Sequence, residues 1–396
     1  MGRAAAARHT DPMLAPTSRY AARCRSLGRG LPPSVVVALL MGVIGLAGCT
    51  TTAAPWTRVD LPTGTTPVSL TDHQGILLVG ALTDGRPAAV RGNPGASGVW
   101  TSMTVTPVSA YGKEAEWLGI AVEPGGGLVA VGGARGGAHS NVRWSVWRGD
   151  TRSLSEQEQV FSTFGGWGAG EQLGPIATSA GPMLLGSWES AKAGLDADIW
   201  LPDGSAWVRQ SPAGTALEST ATELVGPRSG TAWGAGALVA GSVLHLGDGV
   251  RQTPAIWRSI TLNSGWQRTD LPDAGTAGEA VSAACTATGC TVAGWVDGRL
   301  AIWTLDPSGA RRLGGIPDVA VGDRAVMPAP ILDEQGRATL LLTDAGAVIV
   351  LRQTDTGWDR QAGPPGVVLA TARVGGLLYA ITQAPDGSRS LWERTF

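Results

Sequence analysis

The phrase PWTRVDLPTGT at residues 55–65 returns as GWQRTDLPDAG at 265–275, with Trp, Arg, Asp, Leu and Pro in register 210 positions apart. Reading outward from the second copy gives a four-part unit: ATELVGP (221–227), ALVAGSV (237–243), PAIWRSI (254–260) and WQRTDLP (266–272). The next unit runs VSAACTA, CTVAGWV, LAIWTLD and ARRLGGIP over residues 281–317. Each part is a short apolar run bounded by turn residues, the pattern of a strand, and four in succession make a meander. With 58 Gly, 16 Trp and only 3 Phe in 396 residues, the chain favours many tight turns and flat inter-sheet fillers over helices.

The third strands of the unit carry Trp147, Trp200, Trp257, Trp303 and Trp392; the fourth carry Trp56, Trp100, Trp207, Trp266 and Trp358. Fourth strands begin at 56, 100, 154, 207, 266, 311 and 358, which predicts an all-β, seven-bladed β-propeller over residues 56–396. A six-bladed ring is the alternative, because the copy at SLSEQEQV lacks its Trp. The phrase at 56 is a fourth strand with no three strands before it, and the C-terminal VVLATAR, GLLYAIT and SLWERTF are three strands with no fourth after them. They are expected to complete one blade, so that no blade edge is left open.

Residues 1–48 read as an export signal: six Arg precede the apolar run SVVVALLMGVIGLAG, whose 15 residues are too few to span a bilayer. The run ends in Leu46-Ala47-Gly48-Cys49, which resembles the lipobox of bacterial lipoproteins. That resemblance implies cleavage before Cys49, a lipidated Cys49 with a short tether over residues 49–55, and placement on the extracytoplasmic face of the cell membrane. Initiation at Met13 instead of Met1 changes nothing downstream. Cys24 leaves with the signal, so Cys285 and Cys290 remain; they flank a two-residue turn at Ala287-Thr288 and are expected to form a disulfide across a hairpin. The mature chain keeps 24 basic and 31 acidic residues, a net charge of −7, which argues against nucleic acid as a partner.

The turns between third and fourth strands, PDGSAW, NSGW, TDTGW and GASGVW, resemble shortened Asp-boxes (Ser-x-Asp-x-Gly-x-Thr-Trp) of sialidase and BNR-repeat propellers, with Asp203 four residues before Trp207 and Asp355 three before Trp358. In that family the box is structural. A sialidase-like glycoside hydrolase would also need an Arg cluster, a Tyr with a carboxylate partner and an acid; Tyr111 with Glu114 and Glu116 is the one such pair, since Tyr379 lies in an alternating core strand. His73, His139 and His245 are dispersed, GLDADIW reads as an exposed charged loop, and no metal or other cofactor is expected.

The longest loops, all in the second to fourth blades, share the face of the second-to-third and fourth-to-first connections. Tyr111, Phe164 and Trp167 sit on two of them and are the candidate partner-binding residues, with packing of the rings under their own loops as the competing reading. The functional expectation is a monomeric, non-catalytic binding or scaffold lipoprotein for an envelope protein or glycan; the alternatives are the hydrolase and a purely structural envelope component.

Overall fold

A computed structural model describes residues 54–92, 98–136, 141–165, 170–247 and 249–396, and Cys49 and the export signal lie outside them. Seven antiparallel sheets are built in chain order: blade 1 spans residues 65–102, blade 2 116–157, blade 3 170–210, blade 4 223–270, blade 5 278–312, blade 6 331–362, and blade 7 367–395. We call the strands of a blade a to d in chain order. The a strand of every blade packs on the a strands of both neighbours around the whole circuit, which puts the a strands innermost and closes the ring. Blade 7 takes its d strand from Thr57–Val59, with Thr57 opposite Glu393, Arg58 opposite Trp392 and Val59 opposite Leu391. The copy without Trp, Ser153–Gln157, is the d strand of blade 2, so the ring has seven blades and not six.

Seven buried apolar clusters occupy the seven gaps between adjacent blades. Trp147, Trp200, Trp257 and Trp303 have no exposed surface, and each fills the gap toward the preceding blade. The recurring phrase follows from this packing. Leu61 and Leu271, at the exits of their d strands, drop into the gap with the next blade. The Pro272 carbonyl then accepts the Trp303 indole N–H of that blade at 2.9 Å.

A register shift interrupts the a–b pairing in blades 1 to 5 and in blade 7, leaving one residue of the a strand unpaired each time: Val68, Leu118, Leu173, Arg228, Val281 and Leu369. In blades 2 to 5 a Gly of the second strand, Gly132, Gly186, Gly241 or Gly294, lies opposite the residue just before the bulge. A Cβ on Gly241 would stand 2.2 Å from the Gly226 carbonyl oxygen, and one on Gly294 2.0 Å from that of Glu279, so no larger residue fits under the bulged strand.

Two features depart from the sequence reading, and the hairpin disulfide agrees with it. The d–a connection between blades 5 and 6, residues 313–330, is the longest of its kind although it lies outside blades 2–4. Its Val319, Val321 and Met327 are buried between those blades, where the a strand of blade 6, Ile331–Leu332, is only two residues long. Thr104–Thr106 leaves blade 1 and adds a parallel fifth strand to the outer edge of blade 2. Cys285 and Cys290 are cross-strand partners with Cα atoms 4.0 Å apart and are joined in a disulfide on the a–b hairpin of blade 5.

Candidate functional site

Strand direction alternates, so the d–a and b–c connections share one face, here the upper face, and the a–b and c–d turns share the lower. The described residues of the upper face over blades 2–4 carry three adjoining cavities of about 560, 350 and 300 Å³, and all three are bounded by Phe164 and Gly165. These two residues end the one-turn helix Phe161–Gly165 in the connection from blade 2 to blade 3.

The helix is held by aromatic packing. The Phe164 ring rests on Trp188 and Trp200, with centroids 6.4 and 5.7 Å away, and these two indoles meet edge to face at 5.0 Å. Trp200 also donates its indole N–H to the Thr163 carbonyl at 2.9 Å. Phe161, one turn earlier, stays 65% exposed, with the Arg143 guanidinium 4.9 Å from its ring centroid. Of the sequence-selected residues, Tyr111 is exposed and Phe164 is half-buried; both line the 300 Å³ cavity, and Trp167 lies outside the described residues.

Glu156 forms the floor of that cavity and fixes its far wall. Its buried carboxylate accepts the Val108 and Ser109 backbone N–H at 2.6 and 2.8 Å and the Ser109 hydroxyl at 2.6 Å. The position carries no aromatic signal in the sequence, and only the copy's missing Trp marks it. Tyr111 stands at the start of the short turn that Glu156 pins and that includes Glu114, while Glu116 is paired with Arg389 of blade 7 at 2.6 Å. Tyr379 is buried in blade 7, and burial pushes its hydroxyl well above the ordinary tyrosine value.

GLDADIW is not an exposed loop. Asp196 and Asp198 lie buried in the c strand of blade 3, because partners are supplied within the fold. The Ser219 N–H reaches Asp196 at 2.6 Å, and Arg209 grips both oxygens of Asp198 at 2.7 and 2.9 Å. Burial raises the Asp198 carboxyl above its ordinary value, and Arg209 opposes the shift without reversing it. His245 contacts Glu223 and Thr253 of its own blade, and among the described residues no three metal-ligating side chains gather.

Charge is uneven across the cavities. The largest is lined by Arg135, Arg143 and Arg228 against one acid, Glu171, and the 350 Å³ cavity by Glu189, Asp196 and Glu218 with Arg209. Apolar exposure gathers here too: Val108, Tyr111, Val160, Phe161, Leu195, Leu246 and Val250 all stand on upper-face connections or strand ends of blades 2–4.

No protein-family model matches the chain, and no curated protein sequence does. In structure it is similar to the β-propeller domain of the Trilobed protease from Pyrococcus furiosus, with a TM-score of 0.52 and 11% identity over 84% of this chain and 96% of that one. It is also similar to the acylaminoacyl peptidase of Pyrococcus horikoshii, with a TM-score of 0.51 and 11% identity over 83% of this chain and 51% of that enzyme, so it spans about half the enzyme. BamB from Moraxella catarrhalis aligns over 87% of this chain and 99% of its own at 12% identity, with a TM-score of 0.43. At such identities the likeness is one of fold: the protease domain is described as an open velcro, whereas this chain is a seven-bladed propeller closed by its own N-terminal strand.

Proposed function

We propose that this protein is an extracytoplasmic binding propeller, tethered to the membrane through acylated Cys49, whose upper face over blades 2–4 captures an envelope protein or glycan without chemistry of its own. The observation that carries this reading is the coincidence of three cavities with seven exposed apolar side chains on one sector of one face. Such side chains in contiguous array mark interaction surfaces on soluble proteins. Tyr111 and Phe161 supply rigid ring area at low entropic cost, the property that concentrates binding energy in aromatic anchors.

The test separates partner classes. The protein, purified in detergent, is applied to a glycan array and used for crosslinking pulldown from its own envelope, alongside the variant Tyr111→Ala/Phe161→Ala. Capture that the double variant loses at unchanged melting temperature supports the reading. An identical partner profile from the double variant removes this face as the working surface, and turnover of an arrayed glycan replaces the reading with a hydrolase.

A further inference from the structure

On an acidic chain, the upper mouth between blades 2, 3 and 4 is locally basic. Arg135 and Arg143, from the ends of adjoining strands of blade 2, face the same 560 Å³ cavity as Arg228 from the innermost strand of blade 4. Among the described residues, neither Arg135 nor Arg143 has an ion-pair partner. Arg228 pairs with Glu279 at 3.6 Å, beyond hydrogen-bond range.

The fold gives a second, independent sign. Arg228 is the residue left unpaired by the bulge of blade 4, and the corresponding residues of the other five bulged blades are Val68, Leu118, Leu173, Val281 and Leu369. An aliphatic side chain satisfies that position everywhere else. An arginine there loses side-chain freedom and part of its hydration, and a 3.6 Å contact to one carboxylate returns little of either.

We propose that this mouth binds an acidic polypeptide segment, with its carboxylates on Arg135, Arg143 and Arg228 and its apolar side chains on Phe161, Val160 and Leu195. This rests on the reading of the upper face as the working surface and names the partner's chemistry. Guanidinium forks match carboxylates bidentately, and three of them around one cavity select for more than one acid. The apolar rim decides the carrier. Phe161 and Leu195 line the same cavity as the arginines and are 65 and 44% exposed, Val160 lines the adjoining 300 Å³ cavity beside Arg143 and is 71% exposed, and a free inorganic anion or an acidic glycan would leave them uncovered. A peptide that mixes Asp or Glu with aliphatic or aromatic residues covers both.

The experiment pans a random 12-residue peptide display library on the full-length protein in detergent, then measures recovered peptides by fluorescence anisotropy. The expected pool is enriched in Asp and Glu with at least one large apolar residue, and its binding weakens steeply between low and physiological salt. Changing the acids of a recovered peptide to Gln should weaken binding tenfold or more. So should the variant Arg135→Gln/Arg143→Gln, which leaves the Arg228–Glu279 contact in place; adding Arg228→Leu, the residue type of the sister blades, should weaken it further. A pool without acid enrichment, or full affinity for the double variant, overturns the inference. If such a pool still depends on Phe161, the upper-face reading survives while the acidic specificity falls. If no recovered peptide responds to Phe161→Ala or to the arginine changes, both fall.

Discussion

At the residue scale, two phenylalanines one helical turn apart have opposite jobs. Phe164 packs on Trp188 and Trp200 and closes the gap between blades 2 and 3, whereas Phe161 leaves most of its ring to solvent. Truncating a half-buried aromatic core residue should cost about 2–4 kcal/mol, so Phe164→Ala is expected to lower the denaturation midpoint clearly. Phe161→Ala should stay within about 0.5 kcal/mol of wild type, as surface changes do. Urea unfolding of both variants checks this, and equal losses would show Phe161 to be a packing residue. Trp303 offers the corresponding core test. Fully buried and hydrogen-bonded to Pro272, it should cost about 3–5 kcal/mol as Trp303→Ala. Trp303→Phe should cost less, because the ring volume is largely kept and only the Pro272 carbonyl is stranded.

At the element scale, the closing strand and the turns carry separate consequences. Deleting residues 56–62 removes the d strand of blade 7, the Val59 and Leu61 contacts to blade 1, and the Trp56 indole, which reaches the Ala362 carbonyl of blade 6 at 3.3 Å. Two inter-blade gaps open at once, and a loss of about 3 kcal/mol or more is expected, visible as a lower melting temperature. An unchanged melting temperature would contradict closure by this strand. The turns set the acid limit. Hydrogen bonds from Arg152 hold the Asp150 carboxyl at about 2, and Ser and Thr donors hold Asp297, Asp306 and Asp386 below the ordinary carboxylate range. A carboxyl depressed in the folded state favours folding above its unfolded value and loses that advantage as pH falls through its folded one. Burial raises Asp198 and Glu279, which work in the opposite sense, but the depressed groups outnumber them. The melting temperature should therefore hold from neutral pH to about 5 and fall below about 4; a flat profile to pH 3 would remove these turns from the account. Repeat spacing, Trp placement and the hairpin cysteines made six of the blades legible in sequence. Blade 6 was legible only through the TDTGW turn and the d strand at Trp358, since most of its innermost layer is replaced by the aperiodic residues 313–330, whose apolar side chains follow neither strand nor helix spacing.

At the scale of the whole molecule, the candidate face was legible as a sector but not as a surface. Long loops and rings pointed to blades 2–4, yet the arginines there come from strand ends and a bulge, positions whose neighbours are set by ring closure and by no local pattern. The same closure fixes an orientation. Thr57 begins a d strand, and d strands begin at the lower face, beside the c–d turns. If Cys49 carries the acyl chains, residues 50–55 are the whole tether, and six residues reach at most about 20 Å. Two acyl chains anchor stably, so the lower face should lie against the bilayer and the basic, apolar-rimmed mouth should face away from it. Two measurements test this on cells or proteoliposomes. Cys49→Ala should release the protein into the soluble fraction, and recovery of wild type there without lipid would end the anchoring proposal. Single cysteines at Val250, on the upper b–c loop of blade 4, and at Ser308, on the lower c–d turn of blade 5, should then differ toward a bulky polymer-linked maleimide. Val250→Cys is expected to react freely and Ser308→Cys to be shielded, both reacting alike once the protein is extracted in detergent. Equal labelling on the membrane would mean that the tether does not hold the lower face down, and the mouth at blades 2–4 would lose its outward aim.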